Sequence, residues 1–218
     1  MFIIAYMKKA INVLVILINL FLFVCTMTIT VMYFIGGGEG NMEVLGVECF
    51  NYFTIDSNII CGLGCLLYAI YYIIYLAKGK EIPSWVNYVK VAVTGAILVT
   101  FLTCAFFLGP TMGYDKVFLG RNVFLHGINP ILAFITFCFL EKGLLPKKTC
   151  VFAIIPTFVY SIVYIICVVF AKVWEDFYGF TFGGRYGLIP VVLVVMYGAS
   201  CLIGLGIIAI KNIVSKKN

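Results

Sequence analysis

Charged residues cluster at intervals along the chain, and between the clusters run six stretches without a charge: Ala10–Gly38, Ser57–Ala77, Val91–Tyr114, Asn122–Leu140, Thr149–Ala171 and Tyr186–Ile210. A helix crosses the hydrocarbon layer with about 20 mainly apolar residues. Each stretch therefore suffices for one crossing and none for two. The pattern predicts helices over about 10–35, 51–77, 90–110, 121–140, 149–171 and 187–211. A closed β-barrel is the other way to satisfy backbone polar groups in lipid, but its strands would alternate polar and apolar residues, and these stretches do not. The expected fold is all-α: a six-helix transmembrane bundle forming one integral-membrane domain over residues 1–218. The segment "MKKAINVLVILINLFLFVCTMTIT" starts like a signal peptide. Its apolar body exceeds the roughly 7–15 residues of a signal core, so it reads as a retained first helix.

Composition agrees. The chain is 64% hydrophobic and 11% charged, against about 45–50% and 25% in soluble domains. With the N-terminus inside, eleven lysines fall on inner segments (Lys8, Lys9, Lys78, Lys80, Lys90, Lys142, Lys147, Lys148, Lys211, Lys216 and Lys217). Only Lys116, Arg121, Lys172 and Arg185 fall outside, a positive-inside bias that places both termini inside. Seven of the nine acids lie outside, with Glu81 and Glu141 inside. The net charge of +6 is thus an anchoring asymmetry of a multi-pass protein of the cell membrane, with membrane lipids as its surroundings. A nucleic-acid reader needs a basic face with a supporting motif, and neither is present. Most of the nine cysteines lie within the spans, without metal-ligand spacing, and a single histidine excludes HExxH. No metal or cofactor is called for. "GGGEG" reads as a flexible outer loop, and no internal repeat is visible.

Polar residues then break the pattern at one depth. Thr54, Asp56, Ser57 and Asn58 open the second helix, Arg121, Asn122, His126 and Asn129 the fourth, and Arg185 and Tyr186 the sixth. Ionisable groups in a membrane are expensive and face the protein interior. Thr54, Asn58, Cys61 and Cys65 share one helix face, as do Asn122, His126, Asn129 and Ala133. If those faces meet, Thr54 and His126 come within reach. His126 suits a general base or proton shuttle, or a hydrogen-bonding glue between helices. Pro130 clashes with the carbonyl four residues back, so the carbonyl of His126 is expected to be freed at a kink. Thr54 followed by Asp56 is also a good helix start, with the hydroxyl as N-cap. Asp56 points about 200° away from Thr54, toward an ion pair with Arg121 or Arg185 or a role orienting His126. Asn58 and Asn129 suit either oxyanion donors or cross-helix bonds. Arg185 suits either a substrate carboxylate or the interface. Tyr33, Tyr52, Phe53, Tyr178, Phe180 and Tyr186 form an outer aromatic belt.

"YFTIDSN", "LHGINP" and "WEDFYGF…GGRYGLI" resemble the androgen-induced-protein family and its small bacterial relatives, by order and spacing across all six helices. Eukaryotic members are multi-helix membrane hydrolases of fatty acid esters of hydroxy fatty acids, using a threonine and a histidine. The resemblance implies Thr54, preceded by Phe53, as nucleophile and His126, ahead of Pro130, as base. It places Tyr178, in a tyrosine–proline–phenylalanine segment whose proline is Gly179 here, among the substrate- or oxyanion-binding residues. A lipid ester is then the expected substrate. A non-enzymatic binding or transport protein, using the same polar cluster for a head group, is the competing expectation. Scattered Asn19, Thr94 and Thr100 offer little for a through-path.

Overall fold

The computed structural model describes residues 2–36 and 46–217. Among them 84% of the chain is helical and no strand occurs, which removes the barrel. The elements are α1 (Phe2–Ile35), α2 (Phe53–Lys78), α3 (Ser84–Met112), the short α4 (Tyr114–Val117), α5 (Phe124–Leu140), α6 (Lys147–Phe170) and α7 (Tyr186–Lys216). Helices α1, α2, α3, α6 and α7 are long and apolar enough to cross a membrane. The 17 residues of α5 reach about 26 Å at the α-helical rise, slightly less than a hydrocarbon core. The predicted "GGGEG" loop lies, beyond Gly36, outside the described residues.

Boundaries follow local chemistry. Gly79 ends α2 with a left-handed φ of +66° and returns its N–H to Tyr75, a conformation that costs glycine no Cβ clash. Pro83, fixed in φ, precedes α3, which starts at Ser84 instead of near 90. That earlier start carries Lys90 into the helix. Three of these helices contain π-helical turns, at Cys104–Leu108, Phe124–Ile128, Thr136–Leu140 and Ile166–Phe170.

Helix α1 packs on α2, α2 on α3, and α7 on α3, α5 and α6, while α5 lies against α1, α2 and α3. Without a hydrophobic drive between helices in lipid, small residues set close approach. A Cβ on Gly95 would lie 2.7 Å from that of Ala153, and one on Gly204 2.8 Å from the carbonyl of Cys150. These glycines therefore fix the α3–α6 and α6–α7 crossings. The end of the bundle holding Thr54 is called upper here, and the end holding Glu141 lower. Between them Leu22, Cys61, Cys65, Val93, Ile97 and Ala133 form an apolar layer shared by α1, α2, α3 and α5.

Candidate functional site

The upper end of α2 is capped from outside its own sequence. Its N-cap is Tyr52, with no capping side chain, so Thr54 lies inside the first turn and not at the cap position. The N–H of Phe53 instead donates to the phenolic oxygen of Tyr178 at 3.1 Å. Tyr178, expected near substrate, thus serves as a tertiary cap. Thr54 is buried, and its carbonyl accepts from Ser57 Oγ at 3.2 Å and Asn58 Nδ2 at 2.8 Å. Ser57 also bonds Thr100 of α3 at 2.7 Å.

Asn58 then ties α2 to α5. Its Nδ2 donates a second hydrogen to the carbonyl of Leu125 at 3.1 Å, and its Oδ1 accepts from Asn129 Nδ2 at 3.1 Å. Asn129 Nδ2 also donates to Thr26 of α1 at 3.2 Å. Each amide has only two hydrogens, and both are committed in each case. Asn58 and Asn129 are therefore interhelical bonds here, not free oxyanion donors. Pro130 explains the Leu125 contact. In the π turn the N–H of Asn129 reaches back five residues to Phe124. The next such donor would be residue 130, and proline has none. The carbonyl freed for Asn58 is therefore that of Leu125, one residue before the expected His126.

His126 is 5% exposed, and its Nδ1 lies 2.6 Å from the carbonyl of Val117. A carbonyl can only accept, so Nδ1 carries the hydrogen, and in neutral imidazole Nε2 keeps the lone pair. That Nε2 is buried and has no partner among the described residues. The Phe118 ring stands edge-on to the imidazole at 6.0 Å. One turn above, Asn122 accepts the Tyr33 hydroxyl at 2.7 Å on Oδ1, while its Nδ2 is buried with no partner among the described residues. Among the described residues no hydrogen bond joins Thr54 to His126. Asn58 relates them, by holding the carbonyls of Thr54 and of the residue preceding His126.

The charged candidates separate from this cluster. The one ion pair among the described residues is Lys90–Glu141, so Asp56 pairs with neither Arg121 nor Arg185. Arg121 lies over the Tyr33 ring at 5.1 Å, and Arg185 is exposed. Asp56 does not orient His126, a position held by the Val117 carbonyl. It lines instead a cavity of about 600 Å³ with Phe53, Ile59, Tyr160, Val163 and Trp174, which neither Thr54 nor His126 lines.

A second polar cluster, at the lower end, escaped the sequence reading. Lys90, expected on an inner loop, and Glu141 are wholly buried and paired at 3.0 Å. Asn19 bridges them, donating to Glu141 Oε1 and accepting from Lys90 Nζ, each at 3.0 Å. The third Lys90 hydrogen reaches Cys65 Sγ at 3.2 Å. Lys211, also buried, donates to the carbonyls of Phe137 and Glu141 at 2.9 and 2.8 Å, closing the C-terminus of α5. The available signal was a seven-residue spacing on α1. Asn12, Asn19, Thr26 and Tyr33 each bond another helix. Among the described residues no group of three His, Cys, Asp or Glu side chains is arranged for a metal. Comparison with family models, curated proteins and solved structures gave no match.

Proposed function

We propose that this is a six-helix protein of the cell membrane, with both termini inside, whose upper cluster hydrolyses a lipid ester in the outer leaflet. The sixth crossing is α5, and the lysine bias sets the orientation. Ile11 and Ser215 line one lower cavity, in keeping with both termini on one side. One observation carries the catalytic reading: the His126 imidazole is held through Nδ1 by a backbone carbonyl, with Nε2 buried and without a partner among the described residues. That is the arrangement a general base needs, with the Val117 carbonyl in the place a carboxylate occupies in serine hydrolases. In the proposed reaction Nε2 takes the Thr54 hydroxyl proton and Oγ1 attacks the ester carbonyl. The oxyanion falls to the free Nδ2 of Asn122 or to backbone donors. Collapse expels the alcohol, which takes the proton from His126, and water releases the acyl group by the same route. The reading agrees with the resemblance to the androgen-induced-protein family.

Labelling of purified protein with a lipid-like fluorophosphonate tests it. Modification is expected at Thr54, absent in Thr54→Ala and slowed about 10²–10⁴-fold in His126→Ala, the usual contribution of a general base. Undiminished labelling of either variant sinks the mechanism. A non-enzymatic binding or transport role has its own support in the lower cluster, which supplies buried polar groups far from Thr54, beside a cavity of about 390 Å³ lined by Asn12, Glu141 and Ser215. Under that reading wild type takes no label, and solute uptake into vesicles depends on Lys90 and Glu141.

A further inference from the structure

The cavity holding Asp56 belongs to neither polar cluster. Its walls are Ile59 and Ile60 of α2, Val93 of α3, and Ile155, Pro156, Val159 and Val163 of α6. Phe50, Phe53, Tyr160 and Trp174 surround its upper end. From Ile155 to Val163 it follows α6 for about 12 Å at the helical rise. Ile155, Val159 and Val163 are exposed, so the cavity opens sideways, where an amphiphile in the bilayer can enter. Among the described residues Asp56 is the only charged one lining it. Its carboxylate has no ion pair and no hydrogen bond among the described residues. A carboxylate inside a membrane protein ordinarily has a partner. Tyr160 does not supply one, since its hydroxyl donates to the carbonyl of Asn51 at 2.6 Å.

From this geometry we infer a binding site for a single-tailed amphiphile with a monovalent ammonium head. The ammonium pairs with Asp56 and lies among the Phe53, Tyr160 and Trp174 rings, whose faces attract cations. The tail runs down the branched aliphatic wall toward Ile155. Charge complementarity selects a cation over an anion or an alcohol. The length and volume suit one chain of moderate size. The site is independent of the hydrolase reading, because it is assayed at Trp174 and the hydrolase at Thr54.

Emission of Trp174 in a Trp85→Phe background, in neutral maltoside micelles, reports occupancy. Titration with dodecyltrimethylammonium is expected to saturate. Asp56→Asn is expected to weaken binding at least tenfold, with recovery in Asp56→Glu, and dodecanol is expected to bind at least tenfold more weakly. Equal binding by Asp56→Asn, or by dodecanol, overturns the proposal. So does equally tight displacement by a short-chain diacyl phosphatidylcholine, which would make the cavity a general phospholipid site.

Discussion

Replacing Glu141 by alanine strands a fully buried ammonium. Lys90 Nζ has three partners, Glu141 Oε1 and Asn19 Oδ1 at 3.0 Å and Cys65 Sγ at 3.2 Å. The variant removes the only charged one and leaves a neutral amide and a thiol. Removing one partner of a buried pair typically costs about 3–5 kcal/mol, because the other charge is left uncompensated. At about 1.4 kcal/mol per tenfold change, the unfolding equilibrium shifts by two orders of magnitude or more. Glu141→Ala and Lys90→Met each lose one member, whereas Lys90→Met with Glu141→Leu removes both charges and refills the space. Buried pairs exchanged for packed apolar groups are often neutral or stabilising. Two penalties remain: the buried Lys211 ammonium keeps its two carbonyl acceptors but loses the neighbouring carboxylate, and Asn19 keeps its bond to the Val15 carbonyl at 2.9 Å but loses a partner on each side, about 1–3 kcal/mol for unsatisfied polar groups. Unfolding by SDS titration in mixed micelles, applied to the wild type, both single variants and the double variant, reads this directly. The double variant is expected to be more stable than Glu141→Ala. A double variant as unstable as the two single losses summed would refute charge stranding and leave packing as the cause.

Other expectations concern the upper end. Tyr178→Phe removes the hydroxyl capping the Phe53 N–H and is expected to destabilise by about 1 kcal/mol, with faster amide exchange confined to the first turn of α2. Asn58→Leu frees the carbonyl of Leu125 and the second hydrogen of Asn129 at once, a loss of about 1–3 kcal/mol or more, and a drop below 0.5 kcal/mol in the same SDS titration would contradict its tie role. In the loop between α6 and α7, burial pushes the Asp176 carboxyl up, but hydrogen bonds from Thr181 hydroxyl and N–H, from Tyr164 and from the Phe180 N–H outweigh it and hold it below the usual value. A depressed folded pKa gives stability above the unfolded value and loses it as pH falls through the folded one. Emission of Trp174, packed against Tyr164, is therefore expected to hold at neutral pH and change below about pH 4, a transition that Asp176→Asn abolishes.

The long apolar helices are legible in the sequence because a lipid-facing helix demands a long uncharged run, and the nearness of Thr54, His126 and the asparagines is legible because each opens such a run. Partners were harder to read. Thr54 before Asp56 has the pattern of a cap, yet the α2 cap comes from Tyr178, 125 residues away, and no local rule reaches so far. The His126 orienting group is a backbone carbonyl, which carries no residue signature. Lys90 and Glu141 are invisible for the opposite reason. At the edge of an apolar run a charge looks like the edge itself, and only the packing of α3 against α5 turns these two into interior groups. Asp56 lines a cavity that Thr54 does not, and what it faces there depends on α6.

Two polar clusters on the same helices would permit a path through the bundle if they were continuous. Asn58 and Asn129 above are separated from Lys90, Asn19 and Glu141 below by the layer of Leu22, Cys61, Val93, Ile97 and Ala133. Along α1 the polar positions Asn19 and Thr26 are about 10 Å apart, with Leu22, 1% exposed, between them. A polar solute crossing that layer would lose hydrogen bonds with nothing in exchange. In this conformation each cluster therefore answers to its own side. For the upper one, that leaves approach from its own end or through the lipid, the routes that the proposed hydrolysis of a bilayer ester requires.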